Sequence, residues 1–201
     1  MPPLESTPLI LLLWGLFGYL MGSVPYGMVL TRLMGLGNLR EIGSGNIGAT
    51  NVLRTGNKLA AALTVILDGA KGAVAVLAAR ALASEDAVQL AALAAMVGHC
   101  YPVWLKFAGG KAVATFLGIM LAIAWPVGIA CCLAWLVAAA LTRTSSMGGL
   151  AAASSSSFFL VGMGYGYALF LTALLTLLVF WRHRANIKRI RQGIEPRIGQ
   201  K

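Results

Sequence analysis

Residues 43–54 read Gly-Ser-Gly-Asn-Ile-Gly-Ala-Thr-Asn-Val-Leu-Arg, and they form the part of the chain best equipped for chemistry. Gly43, Gly45 and Gly48 let backbone N–H groups approach an anion closely, because no side chain stands in the way. Ser44, Asn46 and Asn51 add neutral hydrogen-bonding groups, and Arg54 adds a fixed positive charge. Loops of this composition surround phosphates. Three more polar segments carry similar groups: Gly109-Gly110-Lys111, the stretch 144–149 with Ser145 and Ser146, and a tail with His183 and Asn186. Carboxylates are scarce beside them, with only Glu41 and Glu195 close in sequence. The set suits two phosphate groups better than a metal, which wants clustered carboxylate, His or Cys ligands. No metal and no cofactor is expected. Electrostatic stabilisation of a developing oxyanion is the main catalytic resource on offer.

The elements that must position these groups are apolar. The chain has 201 residues, 59% hydrophobic and 11% charged, with a mean hydropathy of +0.81. A soluble domain of this size cannot hide so much apolar surface, so the composition reads as a single integral membrane domain over residues 1–201. The first apolar run lacks a basic leader and a small-residue cleavage site, and reads as a permanent helix. The fold class expected is all-α, a polytopic membrane helix bundle. Apolar runs fall at about 8–33, 58–83, 86–104, 112–124, 126–142, 148–163 and 165–181. Trp125-Pro126 and the glycines at 162, 164 and 166 split two longer runs and give seven spans; without those breaks there are five.

Charge orients the bundle. Every lysine and arginine except Lys71 and Arg80 falls in the tail or in a segment following an odd-numbered span. The positive-inside rule then puts the amino terminus outside and the carboxyl terminus in the cytoplasm. The net charge of +10 is therefore a topology signal, and no nucleic-acid readout element accompanies it. All four polar segments emerge on the cytoplasmic side, where a packed bundle brings them to one basin.

Other polar residues have simpler readings. Asp68 and Lys71, three apart within a span, read as an intramembrane ion pair, with substrate contact as the alternative. Ser154 to Ser157 allow close helix packing, and His99 reads as structural. Cys100, Cys131 and Cys132 lie in or beside apolar runs and read as buried free thiols.

Three motifs together resemble one known family. Residues 43–54 resemble the first motif of the bacterial acyl-phosphate:glycerol-3-phosphate acyltransferases. Gly98-His99-Cys100-Tyr101-Pro102-Val103-Trp104-Leu105-Lys106-Phe107, running into Gly109-Gly110-Lys111, resembles the second. His183-Arg184-Ala185-Asn186-Ile187 followed by Gly193-Ile194-Glu195 resembles the third. The resemblance implies a seven-span enzyme of the bacterial cytoplasmic (inner) membrane with its site on the cytoplasmic face. It would move a fatty acyl group from acyl-phosphate to the 1-hydroxyl of glycerol-3-phosphate, giving lysophosphatidic acid and inorganic phosphate. Its partners would be those two substrates and the lipid bilayer, with the chain acting as a monomer.

By the same resemblance Ser44, Arg54, Lys111, His183 and Asn186 serve catalysis. Gly45, Asn46, Gly48, Asn51, Gly109, Gly110, Ser145 and Ser146 line substrate, and Glu195 is mainly structural. One position departs from the family pattern: Ala112 stands where glycine usually follows the lysine. A transporter for an organic phosphate is the competing reading, with Asp68 and Lys71 marking a pathway. Against it stand the lack of an internal repeat and the crowding of polar groups on one face.

Overall fold

The computed structural model describes residues 2–199, and among them there are helices and turns but no strand. Lys201, one of the basic tail residues used for orientation, lies outside the described residues. The chain begins with α1 (Pro8–Ser23) and α2 (Tyr26–Leu33), which part at Val24-Pro25 because a residue before proline is pushed to extended geometry. After the glycine-rich loop come the short α3 (Ala49–Val52) and the long α4 (Lys58–Leu82), whose Asn57 cap accepts a hydrogen bond from the Ala60 N–H at 2.9 Å. Then follow α5 (Glu85–Cys100), α6 (Val113–Ile123), α7 (Trp125–Thr142) and α8 (Ser145–Gly162), and last α9 (Leu169–Arg182) and α10 (Arg184–Arg191).

Each apolar run is helical, and the two long ones break at Ala124 and at Met163–Tyr165. Four stretches are long and apolar enough to cross a bilayer: Pro8–Leu33, Lys58–Leu82, Glu85–Leu105 and Trp125–Thr142. A fifth arises if Gly166–Arg182 and Arg184–Arg191, bent by 60°, count as one. The difference from seven has a physical cause. At 11 residues α6 is roughly 16 Å long, against a hydrocarbon core of about 30 Å. Serines and glycines dilute the hydropathy of α8.

Close backbone approach holds the bundle together, as expected where lipid removes most of the hydrophobic drive between helices. A Cβ at Gly18 or Gly22 of α1 would be driven into the carbonyl oxygens of Ala91 and Ala95 on α5. One at Gly98 of α5 would meet Tyr19 O on α1, and one at Gly118 of α6 would meet Gly69 O on α4. Phe116, Ile119, Met120, Met96 and Leu160 fill the interior, while Leu12, Leu16, Ile66, Leu133, Leu136 and Leu177 face outward as an apolar belt. Cys100 and Cys131 are buried free thiols, and Cys132 is half-buried.

Gly22→Val is expected to lower the unfolding temperature in detergent by 10 °C or more, because backbone, not a yielding side chain, blocks the new atoms. Gly15→Ala, whose nearest neighbour is a Leu90 side-chain atom at 3.7 Å, is the control and should change little.

The two ends of the bundle differ in charge. At one end Asp86 accepts hydrogen bonds from the Glu5 and Ser6 N–H groups and the Ser6 hydroxyl at 2.8–3.0 Å. At the other end lie the glycine-rich loop, Lys111, the start of α8 and the tail.

Candidate active site

The 43–54 loop is built around Asn51, which is only 2% exposed. Its Oδ1 accepts from the Ser44 N–H at 3.1 Å and from Arg54 Nη1 at 3.2 Å, and lies 3.4 Å from the Ser44 hydroxyl. Its Nδ2 donates to Leu39 O at 2.9 Å and Asn46 O at 2.8 Å. One amide thus fixes Ser44 and Arg54 relative to each other. Gly43 has φ +52° and Gly45 φ +66°, left-handed turns that side chains resist. At Gly43 a Cβ would also lie 2.5 Å from Arg54 Cδ.

The second loop is set by three helix ends. The Gly109 N–H donates to Cys100 O and the Gly110 N–H to His99 O, both at 3.1 Å. Arg182, at the end of α9, donates from Nε to Gly110 O and from Nη2 to Gly109 O, each at 2.9 Å, with its guanidinium 5.0 Å from the Tyr101 ring centre. A Cβ on Gly110 would run into His99 Nε2. Both glycines therefore sit behind the site with their backbone groups already engaged, and their effect is to aim Lys111. Ala112 has φ +59°, a left-handed conformation disfavoured by a side chain, and immediately afterwards α6 begins. Arg40 joins the two loops, donating from Nη1 to Gly45 O at 3.2 Å and from Nη2 to Ala108 O.

The tail closes the arrangement. Glu195 Oε1 accepts from the Ser146 hydroxyl at 2.8 Å and from Asn186 Nδ2 at 2.5 Å, and Oε2 accepts from Arg189 Nε at 2.7 Å. Burial works to raise the Glu195 pKa, but hydrogen bonds from Asn186, Arg189 and Ser146 and the Arg189 charge outweigh it and hold the carboxyl below its ordinary range. His183 is 2% exposed. Its Nδ1 is 2.8 Å from Val179 O, which can only accept, so Nδ1 carries the proton and Nε2 keeps its lone pair.

These segments surround one cavity of about 1070 Å³. Ser44, Asn46, Gly48, Asn51, Arg54, Lys111, Ser145, Ser146, His183 and Asn186 line it; Gly45, Gly109 and Gly110 support it from behind. The first turns of α6 and α8 also face it through Val113 and Ala114 and through Ser145 and Ser146. Helix-start N–H groups lack intrahelical partners and favour anions. Val65, Leu117 and Trp135 give the cavity an apolar flank. Burial lowers the Lys111 ammonium to a pKa of about 8; Glu195 opposes this, while Arg189, Arg182 and Arg54 add to it. A smaller recess of about 130 Å³ between Arg54 and Arg197 carries no comparable set of donors.

Four further residues belong to the site or its frame. Arg40, Arg182 and Arg189 had been absorbed into the topology charge, and Asp68, taken as half of an ion pair, lines the cavity. Arg182→Ala should lower kcat/KM for the phosphorylated acceptor by roughly 10- to 100-fold, since two charge-assisted hydrogen bonds to the Lys111 loop disappear. Arg182→Lys should rescue little of this, because an ammonium lacks the planar fork that spans two carbonyls. Steady-state kinetics on the purified variants checks both.

An all-helical bundle with apolar outer walls and a roomy cavity lined by cations and helix starts at one end defines a membrane enzyme acting on an anionic substrate. Residues 12–193 match the glycerol-3-phosphate acyltransferase family, and the chain belongs to it. It is 66% identical over 198 residues to a glycerol-3-phosphate acyltransferase of Roseobacter denitrificans, covering 98% of this chain and 99% of that one. It is 65% identical over 201 residues to that of Ruegeria pomeroyi, covering 100% and 99%. The crystal structure of PlsY (YgiH), an integral membrane glycerol 3-phosphate acyltransferase, in its glycerol 3-phosphate form superposes with a TM-score of 0.88 at 37% identity, covering 94% of this chain and 96% of that one. Its lysophosphatidic acid form gives 0.85 at 35% identity, covering 94% and 95%.

Proposed function

We propose that this protein transfers a fatty acyl group from acyl-phosphate to the 1-hydroxyl of glycerol-3-phosphate, giving lysophosphatidic acid and inorganic phosphate. The observation that carries this reading is the convergence of Arg54, Lys111 and two helix starts on one cavity with an apolar flank. Such a cavity suits two phosphates and one acyl chain. Asp68 and Lys71, which had suggested a transport path, lie 2.8 Å apart as a pair, and the family assignment favours the enzyme.

An acyl-phosphate is a mixed anhydride, so its carbonyl is already electrophilic and phosphate leaves readily. No covalent acyl-enzyme is needed. Arg54, Lys111 and the N–H groups of α6 and α8 hold two anions that otherwise repel each other, in attack geometry. The C–O bond to the glycerol oxygen forms as the carbonyl carbon–phosphate oxygen bond breaks. The hydroxyl proton ends on the departing phosphate, directly or through the free Nε2 of His183. Ser44, Ser145, Ser146 and Asn186 orient the phosphates, with Glu195 fixing Ser146 and Asn186.

In this reading the chain is one catalytic domain with seven helices in the bundle and acts as a monomer. It lies in the bacterial cytoplasmic membrane with the amino terminus outside and the cavity on the cytoplasmic side. The excess of arginine and lysine at the cavity end supports that orientation.

The test supplies purified protein in detergent with palmitoyl-phosphate and glycerol-3-phosphate and follows phosphate release. Release that needs both substrates is the expected outcome. Folded protein that releases none overturns the reading.

A further inference from the structure

Two carboxylates line the cavity, and only one is spoken for: Glu195 is held by Ser146, Asn186 and Arg189, whereas Asp68 has no such set of donors. It lines that cavity while only 3% exposed, on α4. Lys71 Nζ lies 2.8 Å from its Oδ1 and donates to Val24 O, also at 2.8 Å, at the break before Pro25. The contact is short enough for an ion pair but lacks hydrogen-bond alignment, and Oδ1 has no aligned donor. His99 Nδ1 stands 3.7 Å away, and its nearer partner is the Thr115 hydroxyl at 3.2 Å. Oδ1 faces Lys71 and is sealed from the cavity, so Oδ2, which takes no hydrogen bond among the described residues, is the oxygen left to accept one, as a buried carboxylate normally does.

What such a group can receive follows from its charge. It repels phosphate, so neither phosphate of the reaction belongs on it. It accepts from a neutral donor, and on the acceptor substrate only hydroxyls qualify. One hydroxyl loses its proton on acylation, whereas the other keeps it throughout. Position agrees: His99 lies beside Asp68, packs against Gly110 and so adjoins Lys111. A phosphate on Lys111 leaves its glycerol carbons near this corner.

We infer that Asp68 accepts a hydrogen bond from the unacylated 2-hydroxyl of glycerol-3-phosphate and so selects it over phosphates lacking that group, with Lys71 as its counter-ion. This rests on the acyltransferase reading above.

The experiment compares kcat/KM for glycerol-3-phosphate with that for 3-hydroxypropyl phosphate, which keeps the phosphate and the primary hydroxyl and lacks the secondary one. Wild type should prefer the former by about 100-fold or more, as sites built around a hydroxyl do. Asp68→Leu combined with Lys71→Met removes both buried charges together. It should reduce the preference to about fivefold or less while leaving KM for acyl-phosphate within about twofold. Asp68→Asn, which keeps an acceptor oxygen, should fall between and stands in if the double variant does not fold. A wild-type preference near one overturns the inference without any variant, and so does a variant that keeps the wild-type preference. Wild type that fails to turn over glycerol-3-phosphate at all overturns the parent reading instead.

Discussion

Lys111→Ala is expected to lower kcat/KM for glycerol-3-phosphate by about 10²–10³-fold, the usual cost of removing one preorganised charge stabiliser. The lysine is aimed by a loop with little freedom. Its two preceding glycines are tied to the end of α5 through their N–H groups and to Arg182 through their carbonyls. Truncating the side chain should leave that loop in place, so thermal stability should hardly move. Lys111→Arg should recover only part of the loss, because the longer planar head does not sit where the ammonium sat.

The same residue sets a pH dependence. With a pKa of about 8, Lys111 is charged below that pH and neutral above it. Glycerol-3-phosphate prefers the charged form, so binding takes up a proton at high pH. KM should rise by up to about tenfold for each pH unit above 8, while kcat at saturation changes less. A KM that stays flat from pH 7 to 10 would contradict the assignment of Lys111 to the phosphate.

Gly43→Ala is the second large effect, at about 10²-fold in kcat/KM. Alanine at φ +52° costs about 1–2 kcal/mol of backbone strain. The larger consequence is local. The new methyl would lie 2.5 Å from Arg54 Cδ and 2.8 Å from Asn51 Oδ1, so the guanidinium must move, and a displacement near 1 Å in a positioning group costs about this much rate. The loop is exposed at Gly43, so the unfolding temperature should stay within a few degrees. Gly56→Ala, with nothing within 4 Å of the added atom despite φ +88°, separates strain from displacement: it should keep near-normal turnover.

Helix identity and the breaks at Ala124 and Met163–Tyr165 were legible in the sequence because apolar runs, Pro126 and the glycines are local signals. Span number was less so. Whether α6 and α8 cross the bilayer depends on packing and tilt, which hydropathy does not encode. The candidate residues were legible as a polar set, and ten of them line one cavity. Their division of labour was not. Asn51 looked like a substrate ligand, yet its amide is spent inside the loop. Gly109 and Gly110 looked like a phosphate cradle, yet their N–H groups bond to α5. Arg40 and Arg182 were hidden among charges that any multi-pass protein places on one side. Only the fold shows that each reaches across to another loop.

The Glu195 clasp has a consequence for how the enzyme comes into being. Ser44, Lys111, Ser146 and the tail that carries Asn186 and Glu195 are separated by helices made one after another during synthesis. A chain halted before residue 195 has placed α1 to α9 yet lacks the carboxylate that gathers Ser146, Asn186 and Arg189. A chain cut short there is therefore expected to leave those three side chains ungathered. Under the proposed reaction, turnover is expected only from a chain whose tail is in place, so activity would itself report finished assembly.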